Sequence, residues 1–99
     1  MESYPRESKE YLPVPIDGPG TLTSHVVDMQ VCLYPVRPAD DGWKTAGWDT
    51  VDGQTVAQIM IGPGSDFDFS DEPGTYVPYV RIHATPELPV VEGAPVQIS

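Results

Sequence analysis

The sequence has few basic residues, one cysteine, no asparagine and no long apolar segment. Its 5 lysines and arginines stand against 15 aspartates and glutamates in 99 residues, so the formal net charge is −10. Nucleic acids and anionic membrane surfaces both attract basic side chains, and this balance therefore argues against either partner. The single cysteine, Cys32, excludes an internal disulfide, and the absence of asparagine excludes N-glycosylation. We expect no transmembrane helix, which needs an apolar run of about 18 residues, and no secretory leader.

Glycine and proline are abundant instead, with 9 and 12 copies. That content excludes a helical bundle, and no segment shows a sustained helical period. Short alternating segments dominate, and the clearest is His25 to Tyr34, where Val27, Met29 and Val31 should face a core. Six to eight such short antiparallel strands, separated by turns about every 8–12 residues, predict a single all-β sandwich domain.

Three local signals refine this prediction. Asp52-Gly53 lies between two strand-like segments and is typical of a tight β-hairpin. Of the two tryptophans, we expect Trp48 rather than Trp43 to face the core. Pro78 lacks an amide hydrogen and should interrupt the strand-like segment Thr75 to Ala84.

A tyrosine follows an acidic Pro-Gly turn at the start of that segment, in the order Asp71-Glu72-Pro73-Gly74-Thr75-Tyr76. This is the setting of a tyrosine corner, in which the phenol donates a hydrogen bond back to the main chain. Antibody-type domains carry a cysteine two residues later, where this chain has Pro78. The pattern predicts an immunoglobulin-like (Ig-like) sandwich without the disulfide; the alternative is an ordinary tyrosine that begins a strand.

The N-terminal segment predicts a separate structural role. Pro13 and Pro15 cannot donate to a sheet ladder, so this stretch is either an edge strand or a docked arm. We divide the chain into an extended arm of residues 1–16 and an Ig-like domain of residues 17–99. Apolar side chains on an arm need a surface that buries them, either the domain's own sheet or a partner. The candidate partner-binding residues are Tyr4, Tyr11, Leu12, Val14, Ile16 and the loop residue Leu88.

Residues that could carry chemistry are sparse. The two histidines, His25 and His83, have no cysteine or glutamate at metal-ligand spacing, and apolar neighbours of Cys32 do not favour a thiolate. We therefore expect no enzyme activity and no cofactor. One acidic stretch could hold calcium through carboxylate oxygens, although its spacing is not that of an EF-hand loop and plain solvation is the alternative. Its residues are Asp66, Asp68, Asp71 and Glu72.

The ordered set of segments resembles a known family. These segments are Glu-Tyr-Leu-Pro-Val-Pro, Val-Asp-Met-Gln-Val-Cys-Leu-Tyr-Pro, Trp-Lys-Thr-Ala-Gly-Trp-Asp, Ala-Gln-Ile-Met-Ile-Gly-Pro-Gly, Pro-Gly-Thr-Tyr-Val-Pro-Tyr-Val-Arg-Ile and Pro-Glu-Leu-Pro-Val-Val. Together they are similar to the small Ig-like, head-associated virion proteins of actinobacterial tailed bacteriophages, over roughly Lys9 to Ser99.

The resemblance implies a non-enzymatic virion protein, made in the host cytoplasm and then associated with the capsid. The role it favours is an accessory capsid (decoration or cement) protein that binds the major capsid protein or other virion proteins through its arm and a sheet edge. A homo-oligomer is compatible with this role, and a head-tail junction or tail component in low copy number is the alternative. A further alternative is a carbohydrate- or host-surface-binding module, in which Trp43 or Trp48 stacks on a sugar while Asp49 and Asp52 accept hydroxyl hydrogen bonds.

Overall fold

Two β-sheets pack face to face in the computed structural model, which describes residues 2–17, 22–84 and 86–99. The elements of these ranges, in chain order, are β1 (Glu2–Tyr4), β2 (Glu10–Pro15), a 3₁₀ turn (Leu22–Ser24), β3 (Val26–Leu33), β4 (Lys44–Thr45), β5 (Gly47–Val51), β6 (Gln54–Ile61), β7 (Gly74–His83), β8 (Val90–Glu92) and β9 (Val96–Ile98). None of the described residues belongs to a helix that is long and apolar enough to cross a membrane. The predicted all-β sandwich is confirmed.

The strand order places β1-β9-β7-β3-β4 in one sheet, with β8 also paired to β7, and β2-β6-β5 in the other. The larger sheet has six strands and the smaller has three. Two details differ from the prediction. The described part of the chain has nine strands rather than six to eight, and β1 runs parallel to β9.

The core lies between the sheets, and the alternation of β3 directs its inner face as predicted. Val27, Met29 and Val31 are buried, and Met29 is 0% exposed. Val80 of the neighbouring strand β7 pairs with Met29 and is buried beside it. Because each buried side chain of this size stabilises the fold by about 1.5–3 kcal/mol, this face determines the register of the sheet.

The N-terminal segment contributes strands to both sheets, and β2 is an edge strand, one of the two predicted alternatives. All six residues of β2 pair with β6, and Leu12 lies opposite Ile59 while Val14 lies opposite Ala57. Leu12 is only 1% exposed, and β1 pairs with β9 along its whole length. The division into an arm of residues 1–16 and a domain of residues 17–99 is therefore corrected. Burial of the alternating apolar side chains inside the chain's own core is the physical reason.

The turn between β5 and β6 has the predicted hairpin geometry. Asp52 and Gly53 have φ angles of 51° and 79°, and both residues of a type I′ turn need positive φ. The hairpin positions Trp48 on the inner face of β5, where it packs against the core. Its indole Nε1 donates a hydrogen bond of 2.9 Å to the carbonyl of His25. The expectation that Trp48 faces inward is confirmed.

Pro78 lies within β7 and does not interrupt it, which differs from the prediction. On one side it pairs with Val31 of β3. On the other side its carbonyl accepts a 2.8 Å hydrogen bond from the amide of Gly93. Since the nitrogen and carbonyl of one strand residue point to the same side, the missing amide of Pro78 faces the gap between β8 and β9. A proline is tolerated in this central strand because the neighbouring strand is broken there.

Tyr76 forms the predicted tyrosine corner. Its hydroxyl donates a 2.5 Å hydrogen bond to the carbonyl of Glu72, and its ring centroid lies 4.3 Å from that of Phe69. The Asp-Phe-Asp-Phe segment of residues 66–69 lies outside the strands. It makes one isolated bridge, between Phe67 and Ile61, and then turns so that Phe69 is buried against the tyrosine.

Candidate functional site

The outer face of the six-stranded sheet is partly covered by the loop formed by residues 34–43. The side-chain amide of Gln30 donates to the carbonyl of Ala39 and accepts from its amide, both at 3.0 Å. Beneath this loop, Cys32 and Tyr79 form a small second apolar cluster. Burial raises the pKa of the Cys32 thiol, although the charge of Arg37 opposes the shift. Neither this burial nor the raised pKa favours a reactive thiolate at Cys32.

A charged group lies beside this cluster on the same face. Asp28 accepts hydrogen bonds from Arg81 at 2.8 Å and pairs with His83 Nε2 at 2.6 Å. The guanidinium of Arg81 also stacks over the ring of Trp43, 4.6 Å from its centroid. Burial alone would raise the pKa of Asp28, but the hydrogen bonds and charges of His83 and Arg81 together lower it below its ordinary value.

This charged group links the neighbouring strands β3 and β7. Asp28 and Arg81 are direct partners in the ladder between β3 and β7. The Asp28 side chain is 13% exposed, whereas that of His83 is 38% exposed. Because the carboxylate accepts from both basic side chains of the adjacent strand, its charge is compensated within the sheet.

The acidic stretch after β6 does not assemble a calcium site. Asp66, Asp68, Asp71 and Glu72 are all exposed. Asp68 accepts a hydrogen bond of 3.0 Å from the amide of Ser70, and this bond lowers its pKa. Across the described residues, no three histidine, cysteine or carboxylate side chains come together in a way that could hold a metal ion. The calcium interpretation is therefore corrected: these side chains belong to turns and to the solvated surface.

The tryptophans likewise do not form a sugar platform with the neighbouring carboxylates. Trp48 faces the core, and Asp49 points to the opposite side of β5 because strand residues alternate. Asp49 accepts a 2.8 Å hydrogen bond from the amide of Thr50. Trp43 is occupied by the stacked guanidinium of Arg81. The arrangement that the carbohydrate alternative requires is absent among these residues.

The proposed partner-binding residues are dispersed by the fold. Ile16 is buried in the core, whereas Leu88 is exposed in the loop before β8. Tyr11 is exposed on the outer face of the three-stranded sheet, opposite Met60. The other three residues, Tyr4, Leu12 and Val14, line one groove. The interpretation that Leu12, Val14 and Ile16 fill pockets on a partner is corrected, since their side chains are buried inside the domain.

This groove opens between the two sheets, where β2 borders one side and β1 and β9 border the other. Its volume is about 560 Å³. The side chains and main chain that line it are mostly apolar. They belong to Glu2, Tyr4, Leu12, Pro13, Val14, Pro15, Val51, Gln54, Val56, Pro78, Ala94, Pro95 and Val96. We call this feature the β2 groove.

The free edge of β2 forms one wall of the β2 groove and has few amide donors. The amide of Ile16 donates to Thr55 of the β6 side at 3.0 Å. By alternation, the main-chain groups of Tyr11, Pro13 and Pro15 point away from β6. Two of these three residues have no amide hydrogen, so the edge presents carbonyl acceptors almost alone. Addition of a partner strand at this edge is therefore disfavoured.

Three residues that line the β2 groove, Tyr4, Leu12 and Val14, were among the partner-binding candidates of the sequence. The sequence could not show that the broken strand after β8 lies opposite them. The charged group of Asp28, Arg81 and His83 was also missed. One signal was present, because Asp28 in His25 to Tyr34, and Arg81 and His83 in Thr75 to Ala84, have the outward parity of their strands.

The fold and this surface define an acidic β-sandwich with an apolar groove between its sheets. Comparison of the chain with protein-family models, with curated proteins and with solved structures found no match.

Proposed function

We propose that this chain is a non-enzymatic structural protein of a tailed-bacteriophage virion. Within that class, the proposed role is an accessory capsid protein that binds another virion protein through the β2 groove. The observation that carries the proposal is the β2 groove itself, an open apolar surface on a strongly acidic domain. Exposed apolar surface of this kind is typical of protein interaction sites. The resemblance to head-associated virion proteins supplies the biological setting.

The charge of the chain favours one side of the capsid. A net charge of −10 is repelled by packaged DNA, whose phosphates are also negative. The outer surface of the shell, or a joint away from the genome, avoids this repulsion. An accessory protein there would act by cementing, because many copies of a small interface together hold neighbouring capsid subunits against internal pressure.

Copy number in purified particles tests the proposal. Quantitative mass spectrometry of virions, referenced to the major capsid protein, should find hundreds of copies per particle. A dozen copies or fewer would instead support the head-tail junction or tail alternative. Absence of the chain from the particle would contradict a structural role in the virion.

A binding experiment then tests the surface. Ala94→Trp places a large side chain in the β2 groove and should abolish rebinding to particles that lack the protein. The matched control is Ala39→Trp, which adds the same volume to an exposed position in the loop of residues 34–43. Equal rebinding by the two variants would exclude the β2 groove as the contact surface.

A further inference from the structure

Carboxylates stand at both ends of the β2 groove. Glu2 lines one end beside Tyr4. Burial of Tyr4 raises its pKa, and the negative charges of Glu2 and Glu10 raise it further. Glu2 and Glu10 are the first residues of β1 and β2, the two strands that border this end of the groove. At the other end, Gln54 lines the groove and donates a 3.1 Å hydrogen bond to Asp17.

No compensating cation lines the β2 groove. Its described lining residues include neither lysine nor arginine. Arg6 lies close to Glu7, at 3.5 Å. Lys9 lines a separate shallow depression with Tyr11 on the outer face of the three-stranded sheet. The carboxylates at the groove ends are thus not neutralised by a basic side chain within the lining.

The free edge of β2, which presents mainly carbonyl acceptors, adds to the negative electrostatic character of the groove. The outward carbonyls of Pro13 and Pro15 belong to residues that line the groove, and the two prolines offer no amide donor beside them. A ligand that forms hydrogen bonds with these carbonyls must supply the donors. Guanidinium and ammonium groups carry donors only and are positively charged.

We propose that the β2 groove binds an extended apolar segment of a partner protein that carries an arginine or lysine on each side of its apolar stretch. The apolar residues would fill the groove, and the basic side chains would reach the carboxylates and carbonyls at its ends. From Glu10 to Asp17 the chain advances by seven residues, or roughly 23 Å at the rise of a strand. The two basic residues should therefore be about six or seven positions apart.

This inference deepens the proposed function and rests on it, because it names the chemistry of the virion partner. Exposed charges determine orientation and association rate more than affinity, and their effect is screened by salt. Binding should accordingly be weaker at high ionic strength, while the apolar contribution remains.

The test uses a synthetic peptide, fluorescein-labelled and blocked at its C-terminus, of sequence Arg-Val-Pro-Val-Pro-Val-Arg. Its prolines keep it extended. Matched peptides replace both arginines by glutamine or by glutamate. Fluorescence anisotropy measures affinity for the full-length chain, and amide shifts in ¹⁵N-labelled protein locate the site.

Two double variants, each of which removes two negative charges, distinguish a specific effect of the groove carboxylates from the effect of net charge. Glu2→Gln with Glu10→Gln removes two charges at one end of the β2 groove. Glu87→Gln with Asp71→Asn removes two exposed charges elsewhere. Because exposed ion pairs are individually weak, the first variant should weaken binding of the arginine peptide by about three- to tenfold, and the second by less than twofold.

The expected result is preference for the arginine peptide over the glutamine peptide, with amide shifts at Tyr4, Val51 and Val96. Equal affinity for the arginine and glutamine peptides would overturn the inference, as would no binding at millimolar peptide or shifts confined to another face. Any of these failures, alongside hundreds of copies per virion, would reject the basic-segment partner and leave the proposed function standing.

Discussion

The tyrosine corner gives the sharpest test of how this fold is stabilised. Tyr76→Phe removes the hydroxyl that donates to the carbonyl of Glu72 and keeps the ring against Phe69. One hydrogen bond contributes about 0.5–1.5 kcal/mol net to folding. Because Glu72 is exposed, water can replace the lost donor, so we expect a loss of about 1 kcal/mol. For a domain of this size that lowers Tm by about 4–8 °C.

Tyr76→Ala separates the ring from the hydroxyl. It also removes the packing of a buried ring whose centroid lies 4.3 Å from that of Phe69, and truncation of a buried aromatic residue costs about 3–5 kcal/mol. Urea titration followed by tryptophan fluorescence measures both variants. Tyr34→Phe is the control, because this tyrosine is 65% exposed and its loss of a hydroxyl should change stability by less than about 0.5 kcal/mol.

The pH dependence provides a second readout of the same hydroxyl. Burial raises the pKa of Tyr76 above its ordinary value of 10.0, and the charge of Glu72 raises it further. The unfolded chain therefore ionises first as pH rises. The stabilising contribution of the Tyr76 hydroxyl is fully present below pH 10 and is lost as the pH rises above that value. The stability of Tyr76→Phe lacks this pH-dependent contribution. If Tyr76→Phe matched Tyr34→Phe in stability at neutral pH and at pH 11, the corner would not stabilise the fold.

Three further predictions concern other parts of the sandwich. Leu12→Ala should cost about 2–5 kcal/mol, and deletion of residues 2–16 should abolish cooperative unfolding, because Leu12 and Val14 of β2 are buried in the core; a truncated chain that still melts cooperatively would contradict this assignment. Asp28→Asn should cost about 1–3 kcal/mol at neutral pH, since the carboxylate accepts hydrogen bonds from the guanidinium of Arg81 and pairs with His83. Because the pKa of Asp28 is lowered in the folded chain, the stability difference between wild type and variant should be present above the ordinary pKa of 3.8 and shrink as pH falls below it. Denaturant midpoints that differ between the two proteins by the same amount at pH 7 and at pH 3 would refute this pH dependence. Replacing Pro13 and Pro15 by threonine restores amide donors on the free edge of β2 and should promote dimerisation, which sedimentation velocity measures; an unchanged monomer would show that the prolines do not protect that edge.

Alternation within strands could be predicted from the sequence, because each residue's side is decided locally. The inner residues of β3, the Asp52-Gly53 hairpin and the inward direction of Trp48 all follow from such local rules. The tyrosine corner follows as well, since its donor and acceptor are four residues apart.

Long-range partners could not be predicted in the same way. Leu12 pairs with Ile59, which is far along the chain, so its apolar side chain looked available to another protein. Pro78 looked like a strand breaker because the gap in the neighbouring strand, near Gly93, is not visible in its own segment. The burial of Cys32 under the loop of residues 34–43 depends on the amide of Gln30, a polar residue typical of a solvated face.

The gap opposite Pro78 also determines the shape of the β2 groove. Beyond β8 the main chain leaves the ladder, and Gly93 packs so closely that an added Cβ would lie 3.0 Å from Pro78 Cγ and 3.1 Å from Val14 Cγ1. The next two residues, Ala94 and Pro95, then line the groove. The β2 groove is thus formed by the path of the backbone, and the side chains at its rim change only its local shape and charge. Substitution of Glu2 or Val51 would change which ligand is preferred. An unbroken strand opposite residue 78 would remove the β2 groove itself.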